Sequence, residues 1–547
     1  SMVILNTRLK QSPALVRAQA RGPVEAVLSL LDRKPLELFT KAKLPVDFAS
    51  GWADLEGTVE LVLKDKLPIE KVVYDVHGDL SDVRSGHFLP GKEMRGALQV
   101  TATPERVEVW GDGFVADIPV TAKWHMLGGK ENAGRSWVSG TAELSAAALD
   151  TFEVGLPKGT VSEVGQASYE MDIVRDQPPK MRLRSDLVGV RMSSPPLGWR
   201  KSANSSGMLE VDMTLGTSPS IDRVLFETPG LSARGRISIA DGGGLGVAQM
   251  DSFAVGSWLS GTGRLLGRGK APPAVVVTSG RLDMRRMPES SKGSGRGGAA
   301  GIGPVTANVD EVVVTDNIRL GPVKAELNFD GGLSGSFSGN FKGGPLVFGT
   351  LAPHQYGTQM RVTSDNGGKI AQLMGVVKSA SRGAMTLSMV PRAAKGEYDG
   401  VMEMKEVKVQ QMPLVAELLN AISVVGLVEQ LAGPGILFTD VFARFRLTPD
   451  RLVIGESSAA GPSMGLSANG TYSFVQEWFN IQGTVSPLYA VNVVGRPFAR
   501  RGEGLIGFNY TMRGPSQQPE ISVNPLSALT PGFFREIFRR PPPDLSN

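Results

Sequence analysis

Leu209-Glu210-Val211-Asp212-Met213-Thr214-Leu215 puts an apolar side chain at every second position and a carboxylate or hydroxyl between them. Successive side chains of an extended chain point to opposite faces, so the stretch predicts a strand with one apolar and one polar face. The pattern recurs along the chain. Val59-Glu60-Leu61, Tyr74-Asp75-Val76, Leu98-Gln99-Val100, Val107-Glu108-Val109 and Tyr169-Glu170-Met171 carry it in the first half. Ala325-Glu326-Leu327, Phe337-Ser338-Gly339, Met385-Thr386-Leu387-Ser388-Met389, Met402-Glu403-Met404 and Phe445-Arg446-Leu447 carry it in the second. Turn residues punctuate the runs, and roughly 30–40 strands about 8–12 residues apart are expected, as an antiparallel meander. The fold class is therefore mainly β.

Composition agrees. The 547 residues include 67 Gly and 36 Pro dispersed along the chain, which suits many turns and argues against a helical solenoid. With 58 Lys and Arg against 54 Asp and Glu the net charge is +4, short of the dense basic stripe that nucleic acid requires, so no nucleic-acid partner is expected. No Cys is present, which removes disulfides, zinc ribbons and thiol nucleophiles; this sits easily with an oxidising periplasm, but cytosolic proteins also lack Cys, so composition leaves the compartment open. The most apolar stretch, 414–433, contains Glu417 and Glu429, so no membrane-spanning helix is expected within the sequence. Ser1 before Met2 reads as a cloning scar, and any anchor is expected upstream.

Helices are few. Pro23 through Asp32, a run near 413–432 ending at Gly433-Pro434-Gly435, and a short one near 531–540 carry helical spacing. In the last, Phe534, Ile537 and Phe538 share a face with Arg535, Arg539 and Arg540 around it. These arginines, with Arg496, Arg500 and Arg501, are candidates for contact with anionic lipid or an acidic partner. The Gly- and Ser-rich stretch 288–304 reads as a flexible linker between regions 1–287 and 305–547.

Catalytic signals are scarce. His77, His87, His125 and His354 are scattered without metal-ligand spacing, and Gly261-Thr262-Gly263 is a hairpin signal, not a phosphate loop. Scattered acids such as Asp75 and Asp172 fall on polar strand faces. No cofactor, metal or catalytic residue is expected, and the chain reads as a non-enzyme.

Several motifs carry a resemblance. Gly433-Pro434-Gly435-Ile436-Leu437-Phe438, Gly461-Pro462-Ser463-Met464-Gly465, Gly483-Thr484-Val485-Ser486-Pro487-Leu488-Tyr489 and Pro519-Glu520-Ile521-Ser522-Val523-Asn524-Pro525 resemble the C-terminal region of the AsmA-like family of envelope proteins, of the YhdP and TamB type. Upstream, Pro195-Pro196-Leu197-Gly198-Trp199-Arg200-Lys201 and Gly280-Arg281-Leu282-Asp283 resemble the repetitive region before it. The resemblance implies a long sheet curled into an elongated β-groove. It also implies non-enzymatic transport of phospholipid between the inner and outer membranes of a Gram-negative envelope, in the periplasm, with an inner-membrane anchor in the full-length protein. Candidate groove residues are Leu61, Tyr74, Leu98, Val109, Val211, Met213, Leu327, Phe337, Met385, Leu387, Met389, Met402 and Phe445. Flexible thioethers among them suit variable acyl chains. The same alternation suits a β-sandwich core, and the sequence leaves the two open. The alternative function is a structural or assembly factor whose sheet edges pair with strands of outer-membrane proteins.

Overall fold

The computed structural model describes residues 1–4, 11–34, 37–41, 43–64, 72–89, 91–216, 219–240, 243–288, 302–341, 343–374, 377, 379–422, 425–487, 489, 500–530 and 532–545. The chain is mainly β, with 59% strand and 11% helix, and 31 strands belong to one mixed sheet. That sheet is what the one-faced alternation builds. Two compact units divide the residues: Ser1–Pro195, Trp199–Gly256 and Leu265–Gly269 in the first, Pro196–Gly198, Ser257–Arg264 and Lys270–Asn547 in the second. The linker expected at 288–304 falls mostly on residues 289–301, which lie outside the described residues.

In the first unit each strand pairs antiparallel with its neighbour in sequence from Met2–Ile4 to Leu245–Val255. Val161–Ser162, Arg191–Ser194 and Trp199–Lys201 step aside into a small sheet of their own. Lys201, at the end of the last of these strands, is buried and donates from Nζ to the carbonyls of Leu187 at 2.6 Å and Val190 at 2.9 Å. Those bonds compensate a desolvation that pulls its pKa down. The helix Val24–Leu31 lays Val24, Val27 and Leu28 on Ala49 and Ala53, the one core cluster among the described residues of this unit.

Among the described residues, the second unit departs from the expected antiparallel order at one place. Ala271–Asp283 pairs parallel with Val305–Val309 and with Glu311–Val313. Parallel neighbours need a crossover of about a dozen residues or more, and the segment 284–304 is long enough to supply it. Antiparallel pairing then continues from Arg319–Asn328 to Glu520–Asn524, with Ser379–Ser381 as a short side branch on Tyr398–Gln410.

The run near 413–432 forms two helices, Pro413–Ala421 and Val425–Ala432. Residues 423–424 between them lie outside the described residues. Leu418, Leu419, Leu427 and Leu431 join Ile436, Phe438, Met464 and Val485 in a large core. Each fully buried leucine of this kind is worth about 1.5–3 kcal/mol. The C-terminal segment is not the expected α-helix: Pro525–Leu529 and Gly532–Phe538 are 3-10 turns.

Candidate functional site

Strand register converts the alternation into continuous apolar rows, because directly opposed residues of neighbouring strands share a face. In the first unit one row runs Leu55, Gly78, Val100, Val109, Trp124, Val138, Met171, Met181, Met213 and Ile221. Beside it run Ala53, Leu80, Leu98, Gly111, Ala122, Gly140, Tyr169, Leu183, Val211 and Val224. Neighbouring strands lie about 4.8 Å apart, so each row extends on the order of 40 Å. Nearly all these side chains are half-buried, neither packed into a core nor open to water.

Glycines let neighbouring strands of this face pack without a side chain between them. A Cβ on Gly78 would lie 2.2 Å from the Asp54 carbonyl oxygen, and one on Gly111 2.2 Å from that of Ala97. Only a residue without a side chain allows strands to approach so closely.

In the second unit the first row is Leu327, Gly335, Leu351, Met360, Met389, Gly400, Phe445, Ile454, Gly470, Ile481, Met512 and Ile521. The second is Ala325, Phe337, Gly349, Val362, Leu387, Met402, Ala443, Ser457, Ala468, Gly483, Tyr510 and Val523. A third, through Val323, Val347, Met385, Met404 and Val485, belongs to the helix-covered core. Aromatic rings lie across glycines of the adjacent strand. A Cβ on Gly349 would meet the Phe337 ring at 2.1 Å, and one on Gly400 the Phe445 ring at 2.3 Å. These rings cover backbone that would otherwise be bare.

The candidate groove residues therefore share a face within each unit. Leu98 and Val211 stand on one row and Val109 and Met213 on the next, while Tyr74 opposes Val59 and Leu61 follows two residues on. Leu327, Met389 and Phe445 share a row, as do Phe337, Leu387 and Met402. Met385 and Met389 are buried and the others half-buried. Burial pushes the Tyr169 phenol up, as it does that of Tyr74, where Glu105 adds to the effect, so both rings stay neutral. Trp124, Met181, Leu183 and Met360 stand on the same rows and were missed. Alternation shows which face a residue takes but not which strand lies opposite.

The reverse face is charged and cross-linked. Arg135 meets Asp172 at 2.7 Å, Arg182 meets Asp212 at 2.6 Å and Lys123 meets Glu108 at 3.0 Å. His125 stacks on Trp137 at 5.2 Å and His77 meets Glu56 at 3.0 Å. Among the described residues no group of three or more His, Asp or Glu could hold a metal ion.

The basic candidates separate. Arg535 is fully buried, donates to the Gly504 carbonyl and offers its own carbonyl to Asn509 at 3.0 Å. Arg539 pairs with buried Glu503 at 2.7 Å, and Glu503 also accepts from Ser467 at 2.8 Å. Both arginines thus point inward, because the segment packs on the polar face of the last strands. Arg500, Arg501 and Arg540 are exposed, as are Phe534, Ile537 and Phe538. Arg496 lies outside the described residues. Among the described residues no helix is long and apolar enough to cross a membrane, which says nothing of spanning strands. Compared with family models, curated proteins and solved structures, the chain matches none.

Proposed function

We propose that this protein is a non-enzymatic lipid carrier, whose half-buried apolar rows hold the acyl chains of phospholipids moving between the inner and outer membranes of a Gram-negative envelope. The observation that carries the reading is the continuity of those rows: apolar partners face one another strand after strand, yet most stay half-buried. Each CH₂ kept from water on such a surface is worth about 0.8 kcal/mol. Ladder pairing keeps the backbone polar groups satisfied, so the surface offered to an acyl chain is largely apolar. The reaction class is transfer of an intact molecule, with no bond made or broken. The motifs that resemble those of the AsmA-like family support the same reading and the periplasmic setting.

Site-specific photocrosslinking tests it. A benzophenone side chain at Leu98, Leu183 or Leu387 should crosslink co-purified or added phospholipid, while one at Gln99 or Arg182 on the charged face should not. Equal lipid crosslinking from both faces, or crosslinks to outer-membrane protein alone from the apolar face, would overturn the proposal, the second outcome in favour of an assembly factor.

A further inference from the structure

The C-terminal end of the second unit is packed the wrong way round for a surface that meets only water. Polar groups fill its interior. Arg535 is fully buried and donates to the Gly504 carbonyl. Asn509, also buried, donates from Nδ2 to the Arg535 carbonyl at 3.0 Å and accepts from the Thr484 hydroxyl at 2.8 Å. The Asn509 backbone N–H donates to the buried Ser527 hydroxyl at 2.7 Å, and Arg539 pairs with buried Glu503 at 2.7 Å. One hydrogen-bonded hub thus ties together three short segments, 503–507, Pro525–Leu529 and 535–539.

Large apolar side chains stand on the outside of the same three segments. Leu505 and Ile506 are exposed on the first, Leu526 and Leu529 on the second at 64% and 80%, and Phe538 and Ile537 on the third, Ile537 at 79%. Apolar residues exposed singly are ordinary, but six around one hub, with charged and amide groups beneath them, form a patch that calls for a partner. The segments cannot turn these side chains inward, because Arg535, Asn509, Glu503 and Ser527 already occupy the interior. Contact with an apolar medium makes the same six side chains a source of binding and leaves the hub undisturbed.

Charge selects the medium. From 500 to 540 the sequence has six arginines, at 500, 501, 513, 535, 539 and 540, against three glutamates, at 503, 520 and 536. Glu503 is turned inward to Arg539, whereas Arg501 and Arg540 are exposed. Apolar side chains with arginine beside them fit the interface of an anionic bilayer, where hydrocarbon and phosphate lie within a few ångströms of each other. We propose that this end of the second unit docks on an anionic phospholipid bilayer, the six apolar side chains entering the interface and Arg501 and Arg540 meeting headgroup phosphates. Arg535 and Arg539, buried in the hub, take no part in the contact. The docking surface is separate from the acyl-binding rows and does not depend on that reading.

Flotation of the full chain with vesicles of phosphatidylethanolamine and phosphatidylglycerol tests the assignment. The wild type is expected to float with them, and to bind vesicles of phosphatidylcholine alone more weakly. Leu529→Ser combined with Ile537→Ser should lower the affinity about ten-fold or more, the scale on which two apolar side chains are withdrawn from hydrocarbon. Val475→Ser, at an equally exposed apolar residue in the turn between Met464–Ser473 and Trp478–Pro487, should leave it unchanged. All three positions are exposed, and thermal melts check that the variants keep the wild-type fold. No flotation of the wild type, or flotation that the double variant retains, would overturn the proposal. So would a monomer–dimer equilibrium, read by sedimentation, that the double variant abolishes, since it would assign the patch to a second copy of the chain. Flotation is read without any lipid leaving the bilayer, so its failure leaves the carrier reading to the crosslinking test, and failure of that test leaves docking intact.

Discussion

Asp283 is fully buried, and Arg285 grips both of its oxygens, at 2.7 and 2.9 Å, while Arg281 lies at 3.5 Å. Hydrogen bonds from Arg285 outweigh desolvation and hold the carboxyl down to about 2. A carboxyl whose folded pKa is depressed stabilises fully above its unfolded value of 3.8 and ceases to do so as pH falls through about 2. Urea midpoints should therefore drop between these two pH values in the wild type and drop less in Asp283→Asn, which should already be the weaker protein at neutral pH. Parallel pH profiles for the two would refute this. Glycine offers a second test at this scale. Gly78→Ala forces a Cβ onto the Asp54 carbonyl and should cost about 1–3 kcal/mol, whereas Gly22, with nothing within 4 Å of a Cβ, should accept alanine within about 0.5 kcal/mol. Denaturant titration of the pair reads the difference. At this scale the sequence announced the glycine excess but not its cause, since the contact belongs to a neighbouring strand.

Elements were legible to different degrees. One-faced strands and the helix Val24–Leu31 follow from local spacing, Pro and Gly, and the structure has them. The C-terminal segment was misjudged because its partners are remote: Arg539 and Glu503 are 36 positions apart, and nothing in the local pattern shows that Arg535 and Arg539 turn inward. Glu503→Gln leaves buried guanidinium charge without its counterion and should destabilise the second unit by about 3–5 kcal/mol. Thermal melts of this variant should show the loss, and a surface change such as Arg540→Gln should not. The helix Pro413–Ala421 provides the apolar counterpart. Leu419 is fully buried, and Leu419→Ala should cost about 2–5 kcal/mol by the same measurement. A neutral result would mean that the helix is not part of the core it covers.

Across the whole molecule the decisive property is register. The sequence predicted a mainly β meander and residues that share an apolar face, but not which strands pair. Pairing assembles a single sheet of 31 strands, with one parallel junction at Ala271–Asp283 that alternation cannot announce. Within the second unit the core takes in the third row and reaches into the second through Tyr510, Phe337, Val362 and Met402, while most of the first row is half-buried; within the first, described helices cover little of the face. A surface so built should accept acyl chains at many points, so single substitutions along a row should be tolerated and clustered charges should not. The most direct test is native mass spectrometry with lipid extraction on the purified chain, compared with a variant carrying Leu98→Glu, Leu183→Glu and Leu387→Glu. Phospholipid bound to the wild type and absent from the folded variant is the predicted result. A folded wild-type chain that carries no lipid and takes up none from phospholipid vesicles would contradict the account.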